Sequence, residues 1–231
     1  MQPNKVVDFN SAVSALGTTV ASTSDTNKLI RNTYMLLSMT LLFSAVTAGI
    51  AMAVGMPPIH WAITLVTYFA LFFATAALRN SVWGLVAVFA LTGFMGMTLG
   101  PILNLYMSRF ANGNMLVIMS FASTAAVFVS LSAYALTTRK DFSFLGNFVF
   151  AGMVVAVLLG IGAIVFQLPM LSLGISAMVV LLMVGSILFQ TSEIVNGNET
   201  NYIMATVGLY VSIYNLFISL LQLLAALFGE E

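Results

Sequence analysis

Seven apolar stretches of about 20 residues or more, almost free of charge, recur along this chain, at about 32–54, 59–78, 82–107, 114–137, 144–166, 169–195 and 200–228. As helices rising ~1.5 Å per residue, each is long enough to cross a hydrocarbon layer of ~30 Å. A chain inside hydrocarbon must satisfy its own backbone polar groups, so only helices and closed barrels can span it. A barrel would show strands of ~10 residues alternating apolar and polar, and none is present. Charged residues are 6% of the chain, against ~25% in soluble domains. The expected fold is an all-α polytopic membrane protein with seven transmembrane helices, and the lipid bilayer is its first partner.

The segments between these runs are short and carry turn chemistry: "GMPP", "RNS", "ANGN", "TTRKDFS", "QLP" and "NGN". None is long enough to form a soluble domain. Residues 1–27 are rich in Ser, Thr and Asn, lack an apolar signal-peptide core and read as a flexible cytoplasmic tail. Residues 28–231 are then the seven-helix transmembrane domain. With seven spans, Lys5, Lys28, Arg31, Arg79, Arg139 and Lys140 fall on one side and Arg109 on the other. Basic residues favour the cytoplasmic side, so the N-terminus is expected in the cytoplasm and the C-terminus across the membrane.

Several chemistries are disfavoured at once. With no cysteine there is no disulfide, thiolate metal site or cysteine nucleophile. The single histidine, His60, rules out HExxH, while GxSxG and GxxxxGK[ST] are absent. His60 beside Trp61 at a helix start reads as an interfacial anchor. No Lys/Arg stripe tracks a phosphate backbone, so no nucleic acid is expected. Neither an enzyme nor a cofactor is indicated.

The last run carries the sharpest pattern. Asn201, Ala205, Gly208, Ser212, Asn215, Ser219 and Gln222 recur at gaps of four and three, which places them on one helical face. Small and polar residues let membrane helices approach and hydrogen-bond, so this face should look into the bundle, either as packing or as a polar pathway. The sixth run offers a partner stripe of Ser172, Ser176, Ser186, Gln190 and Glu193. In the third run Gly96 and Gly100 form a GxxxG pair, and Pro101 lacks a backbone donor, which suggests a kink or break near Asn104. Those glycines suit close packing, and a broken helix would suit a binding site.

Four stretches together resemble the Bax inhibitor-1 family: "KLIRNTYMLLSMTLLFSA", "TGFMGMTLGPILN", "SAYALTTRKDFSFLG" and "ILFQTSEIVNGNETNYIMATVGLYVSIYNLFISLL". The likeness runs from about residue 27 to the end. It implies a bundle whose last helix is central and wrapped by the other six. It also implies a place in the bacterial inner membrane and a partner, since bacterial members modulate the membrane-anchored AAA protease FtsH near its HflK–HflC companions. The chain would be a non-enzymatic binding partner and slow substrate of that protease in membrane-protein quality control.

The alternative that the family implies is a pH-gated leak of calcium or another cation. Its gate is a pair of aspartates in motifs resembling "FDTQ" and "LYLDxxNLF". Here the matching positions read "FQTS" and "LYVSIYNLF", so Gln190 and Ser212 stand in place of the acids. A carboxylate pair titrates and binds divalent cations; an amide and a hydroxyl do neither. Glu193 is the candidate substitute acid. Spacing alone leaves a difficulty, because Gln190 lies about 9 Å and Ser212 about 20 Å from the connecting turn by helical rise. Their contact would require tilt or a longer sixth helix.

Overall fold

The computed structural model describes residues 9–166 and 168–230. Its elements are α1 (Phe9–Ala53), α2 (Trp61–Leu78), α3 (Val82–Arg109), α4 (Gly113–Thr138), α5 (Phe144–Val165), α6 (Pro169–Val195) and α7 (Tyr202–Phe228). All seven carry a segment long and apolar enough to span a bilayer, and the protein is a multi-pass helical membrane protein. Among the described residues there is no strand.

The helix ends follow local chemistry. The His60 imidazole accepts from the Ala62 N–H at 3.3 Å and caps α2. Ser81 does the same for α3 through the Trp83 N–H, at 3.3 Å. Pro169 opens α6, where its missing N–H has no intrahelical partner to lose. Gly197, at φ 77°, lets the chain turn back after α6 in a conformation L-residues rarely adopt.

One boundary differs from the expectation. Helix α1 begins at Phe9, so residues 9–27, read as flexible tail, are helical and continuous with the first span. No proline follows Pro3 before the membrane, so nothing stops the helix propagating backwards from the apolar segment that starts at Asp25. Residues 1–8 lie outside the described residues.

Around α7 pack α1, α2, α3, α4 and α6, whereas α5 packs on α6 alone. The last helix is thus central, but the ring is closed by five helices, with α5 in a second layer. Leu209, Tyr210, Leu216 and Leu221 of α7 are each at most 1% exposed. The starts of α7 and α3 meet through the Asn201 amide, which donates to the Arg79 carbonyl (3.0 Å) and to Asn80 Oδ1 (2.9 Å). Asp25, Arg139 and Thr200 line one shallow depression, so the start of the first span, the α4–α5 connection and the α6–α7 turn share that end. At the opposite end Asn112 Nδ2 donates to the Phe228 carbonyl at 2.7 Å. Lys28, Arg31, Arg79, Arg139 and Lys140 therefore belong to one end of the bundle and Arg109 to the other.

Helix α3 contains no break at Pro101 and runs unbroken to Arg109. Its glycines explain the continuity, because they set α3 directly against α1. A Cβ at Gly96 would lie closer than 3 Å to the Ser44 carbonyl and hydroxyl and to Thr47 Oγ1, and one at Gly100 would meet Ala51 Cβ. Asn104 donates to the Met52 carbonyl at 3.2 Å, beside the Gly55 N–H at 3.1 Å, and so ties α3 to the last turn of α1. The pair is a packing device. Gly96→Leu is expected to destabilise the bundle by at least about 1–3 kcal/mol, the usual penalty for overpacking. Gly49→Ala, where a Cβ meets nothing within 4 Å, should not destabilise it and by helix propensity should stabilise it slightly. Unfolding in mixed micelles of increasing denaturing-detergent fraction checks both, and equal midpoints for the two variants would count against close α1–α3 packing.

Candidate functional site: a neutral polar seam between α6 and α7

Helices α6 and α7 form an antiparallel hairpin joined by a tight turn. The N–H groups of Asn198 and Glu199 both donate to the Glu193 carbonyl, at 2.9 and 3.1 Å, so the turn folds over the end of α6. Asn201 then caps α7, its Oδ1 accepting from the Ile203 and Met204 N–H groups, each at 3.1 Å.

Gln190 and Ser212 touch. Gln190 Nε2 donates to Ser212 Oγ at 2.8 Å and to Ser186 Oγ, and the two serine hydroxyls lie 2.9 Å apart. The depth mismatch is resolved by side-chain direction. Side chains on a helix lean toward its N-terminus, and for α6 that direction leads deeper into the bundle. Gln190 reaches one turn down its own helix to the level of Ser186, where Ser212 lies across the hairpin. Gly208 sits where the amide passes, and a Cβ there would collide with Gln190 Oε1. Helix α6 ends at Val195, as expected, so a longer α6 is not required.

The seam continues toward the far end. Gln222 Nε2 donates to Ser172 Oγ at 2.6 Å, and Ser176 Oγ donates to Gln222 Oε1 at 2.7 Å. The α6 stripe of Ser172, Ser176, Ser186 and Gln190 is therefore the partner of Gly208, Ser212 and Gln222. Other members of the α7 stripe diverge. Asn201 faces the α2–α3 turn, Asn215 Nδ2 donates to the Val211 carbonyl of its own helix at 2.8 Å, and Ser219 is buried.

Glu193 is held elsewhere. Its Oε1 accepts from Ser143 Oγ (2.9 Å) and Asn198 Nδ2 (3.1 Å), facing the α4–α5 connection rather than Ser212. Next to it, Ser192 Oγ donates to the Lys140 carbonyl at 3.1 Å and accepts from the Phe142 N–H at 2.9 Å. The same connection carries Asp141, whose carboxyl is held below its ordinary range by the Ser143 hydroxyl, and further by the Ser143 N–H. Consecutive residues of α6 thus pin the loop between α4 and α5.

Two groups outside the expected stripes bind α7 to its other neighbours. The Tyr210 hydroxyl lies 2.6 Å from Ser44 Oγ and donates to the Thr92 carbonyl at 3.2 Å, joining α1, α3 and α7. One turn on, the Tyr214 hydroxyl lies 2.9 Å from Thr98 Oγ1. Their signal was available in the sequence as two tyrosines four residues apart at mid-span, far from the interfaces where tyrosine normally collects.

Chemically the seam is neutral. Its donors and acceptors are amides and hydroxyls, so it exchanges no proton near neutral pH and presents no charge to a cation. Interhelical hydrogen bonds in membranes average about 0.6 kcal/mol each, so such a run fixes register more than it adds stability.

The family model described as "Inhibitor of apoptosis-promoting Bax1" matches residues 26–229. A Pseudomonas aeruginosa protein is 50% identical over 216 residues, which is 94% of this chain and 97% of that one. "Modulator of FtsH protease YccA" of Escherichia coli K12 is 51% identical over 200 residues, 86% of this chain and 90% of the relative. A Vibrio cholerae protein described as a membrane protein is 43% identical over 213 residues, 90% of this chain and 94% of its own. The match spans all seven membrane segments, from the start of the first to the end of the last. The chain belongs to the Bax inhibitor-1 family.

Proposed function

We propose that the protein is a regulator, not an enzyme, in the bacterial inner membrane, where it binds and modulates the FtsH AAA protease and is itself a slow substrate. The observation that carries this reading is 51% identity to the modulator YccA over 90% of that protein's length. The neutral seam supports it, because the residues at the family's gating positions give the bundle a fixed register rather than a titrating gate. HflK–HflC would then be neighbours in the same assembly. The test is affinity capture of the tagged protein from gently solubilised membranes, with FtsH expected among the recovered proteins. Its absence, while a known FtsH partner recovers it in parallel, would refute the assignment.

The orientation proposed with it places the end bearing Lys28, Arg31, Arg79, Arg139 and Lys140 in the cytoplasm. The chain lacks cysteine, so single cysteines report topology cleanly. Thr200→Cys, at the α6–α7 turn, should stay unlabelled by an impermeant thiol reagent in sealed cells, whereas Asn114→Cys should label. Labelling of the first in sealed cells would invert the arrangement.

A second reading, a calcium or other cation leak with an altered or lost pH gate, is favoured by the seam itself, since it sets polar clusters at two depths between α6 and α7.

A further inference from the structure

The backbones of α1 and α4 stay apart, both packing instead on α3, α6 and α7, and the two helices meet through the Tyr34 and Phe128 rings, 6.2 Å between centroids. Between them lies a groove of about 310 Å³, floored by Tyr210, Ile213 and Phe217 of the central helix. Ala45 and Gly49 on α1 and Phe121 on α4 are exposed at its edges, so the groove is continuous with the lipid-facing surface. Along α1 it runs from Leu41 to Met52, about 16 Å by helical rise, roughly half of a ~30 Å hydrocarbon layer. That is the depth of one leaflet. Met52 and Met107 mark its outer end, on the side of the bundle that carries Arg109.

The lining decides what fills it. It is overwhelmingly apolar, and its polar groups are satisfied within the protein: the Tyr210 hydroxyl by Ser44, the Tyr214 hydroxyl by Thr98, and Thr124 Oγ1 by the Ser120 carbonyl at 2.7 Å. An ordered water typically needs two to four polar partners and would not find them. An empty slot would forfeit the dispersion contacts of its walls. The medium at this depth is acyl chain, and at Gly49 no side chain projects into the opening. We propose that this groove binds one acyl chain of a membrane phospholipid, entering from the leaflet on the Arg109 side and lying against α7.

The test uses the full-length protein in phosphatidylethanolamine vesicles with a minor share of phosphatidylglycerol. A trace phosphatidylethanolamine carries a photoreactive diazirine midway along one acyl chain. After illumination, α7 peptides spanning Ile213 to Phe217 should be labelled together with the outward face of α5. In Gly49→Phe, whose ring fills the groove from its edge, the α7 label should be lost while the α5 label persists. If Gly49→Phe fails to accumulate, Ala45→Phe, also at the exposed edge, carries the same comparison. An unlabelled α7 in the wild type beside a labelled α5, or equal α7 labelling in wild type and groove-filled protein, would overturn the proposal.

Discussion

Wild-type protein reconstituted into vesicles is expected to pass little calcium, and that little should not change between about pH 6 and 8, the range in which gating side chains usually titrate. The reason lies in the chemistry at two positions. The Gln190 amide and the Ser212 hydroxyl meet at 2.8 Å, with Ser186 beside them, and none of the three ionises in that range. Replacing Gln190 and Ser212 together by aspartate puts two carboxylates where one hydrogen bond now spans the hairpin. Two carboxylates that close share a proton, and removing it sets like charges side by side between helices. The double variant should therefore acquire a strongly pH-dependent leak if the bundle retains a conducting path. The control is each single variant, which introduces one acid and no like-charge pair. Calcium flux into dye-loaded vesicles across a pH series checks all four proteins. A steep pH-gated flux in the wild type would mean that a group outside the seam gates the bundle, and would move the assignment to a channel.

If the protein is the slow FtsH substrate proposed above, deleting residues 2–20 is expected to make it long-lived while leaving membrane insertion intact. Helix α1 starts at Phe9, well before the apolar span that begins at Asp25, and 16 helical residues extend about 24 Å beyond it. Helical propensity alone holds a stretch of that length only marginally in water, so a motor that engages it is expected to unravel it with little resistance. The i,i+3 pair Lys28–Asp25, at 3.8 Å with both side chains well exposed, does little to hold it. Without this handle the bundle should still dock on FtsH but could not be drawn out. The lifetimes of other FtsH membrane substrates should then rise. The measurement is a chase of protein levels after synthesis is stopped, for full-length and shortened forms, with and without FtsH. Equal lifetimes for the two forms, or no dependence on FtsH, would remove the N-terminal segment from the mechanism.

The number of spans and, apart from the start of the first, their limits were legible because hydrocarbon imposes length and apolarity on every crossing, and that signal survives without tertiary information. The parts of the α6 and α7 stripes that meet, Ser172, Ser176, Ser186 and Gln190 against Gly208, Ser212 and Gln222, were legible for the same reason, as small and polar residues in a greasy context have little to do except face a neighbour. Contact between Gln190 and Ser212 was not legible from spacing alone, although the family resemblance pointed to it. Counting rise from the turn treats side chains as points on an axis, whereas Gln190 spans a full turn toward its own N-terminus. Of the kink or break that Pro101 suggested, the break is absent, and the fit of Gly96 and Gly100 against α1 shows why α3 holds together. The N-terminal helix was hidden by its composition: Ser, Thr and Asn have low helix propensity, and what extends the helix is its continuity with the membrane segment. The role of Glu193 depended on the α4–α5 connection, 50 residues away in sequence, whose Ser143 reaches it.

The packing of α1 has a mechanical consequence. It lies against α3, α6 and α7 at once, and Tyr210 ties it by hydroxyl to the middle of the central helix. For any motor that pulls on the N-terminus, the first element to leave is thus the one that holds the others. The work of extraction is front-loaded: a high initial force frees α1 and strips the GxxxG face of α3, and every later step meets a bundle already missing part of its wall. A trace of force against extension should show one dominant early peak followed by smaller ones, and a pull from the C-terminus, which removes the axle first, should show a different order altogether.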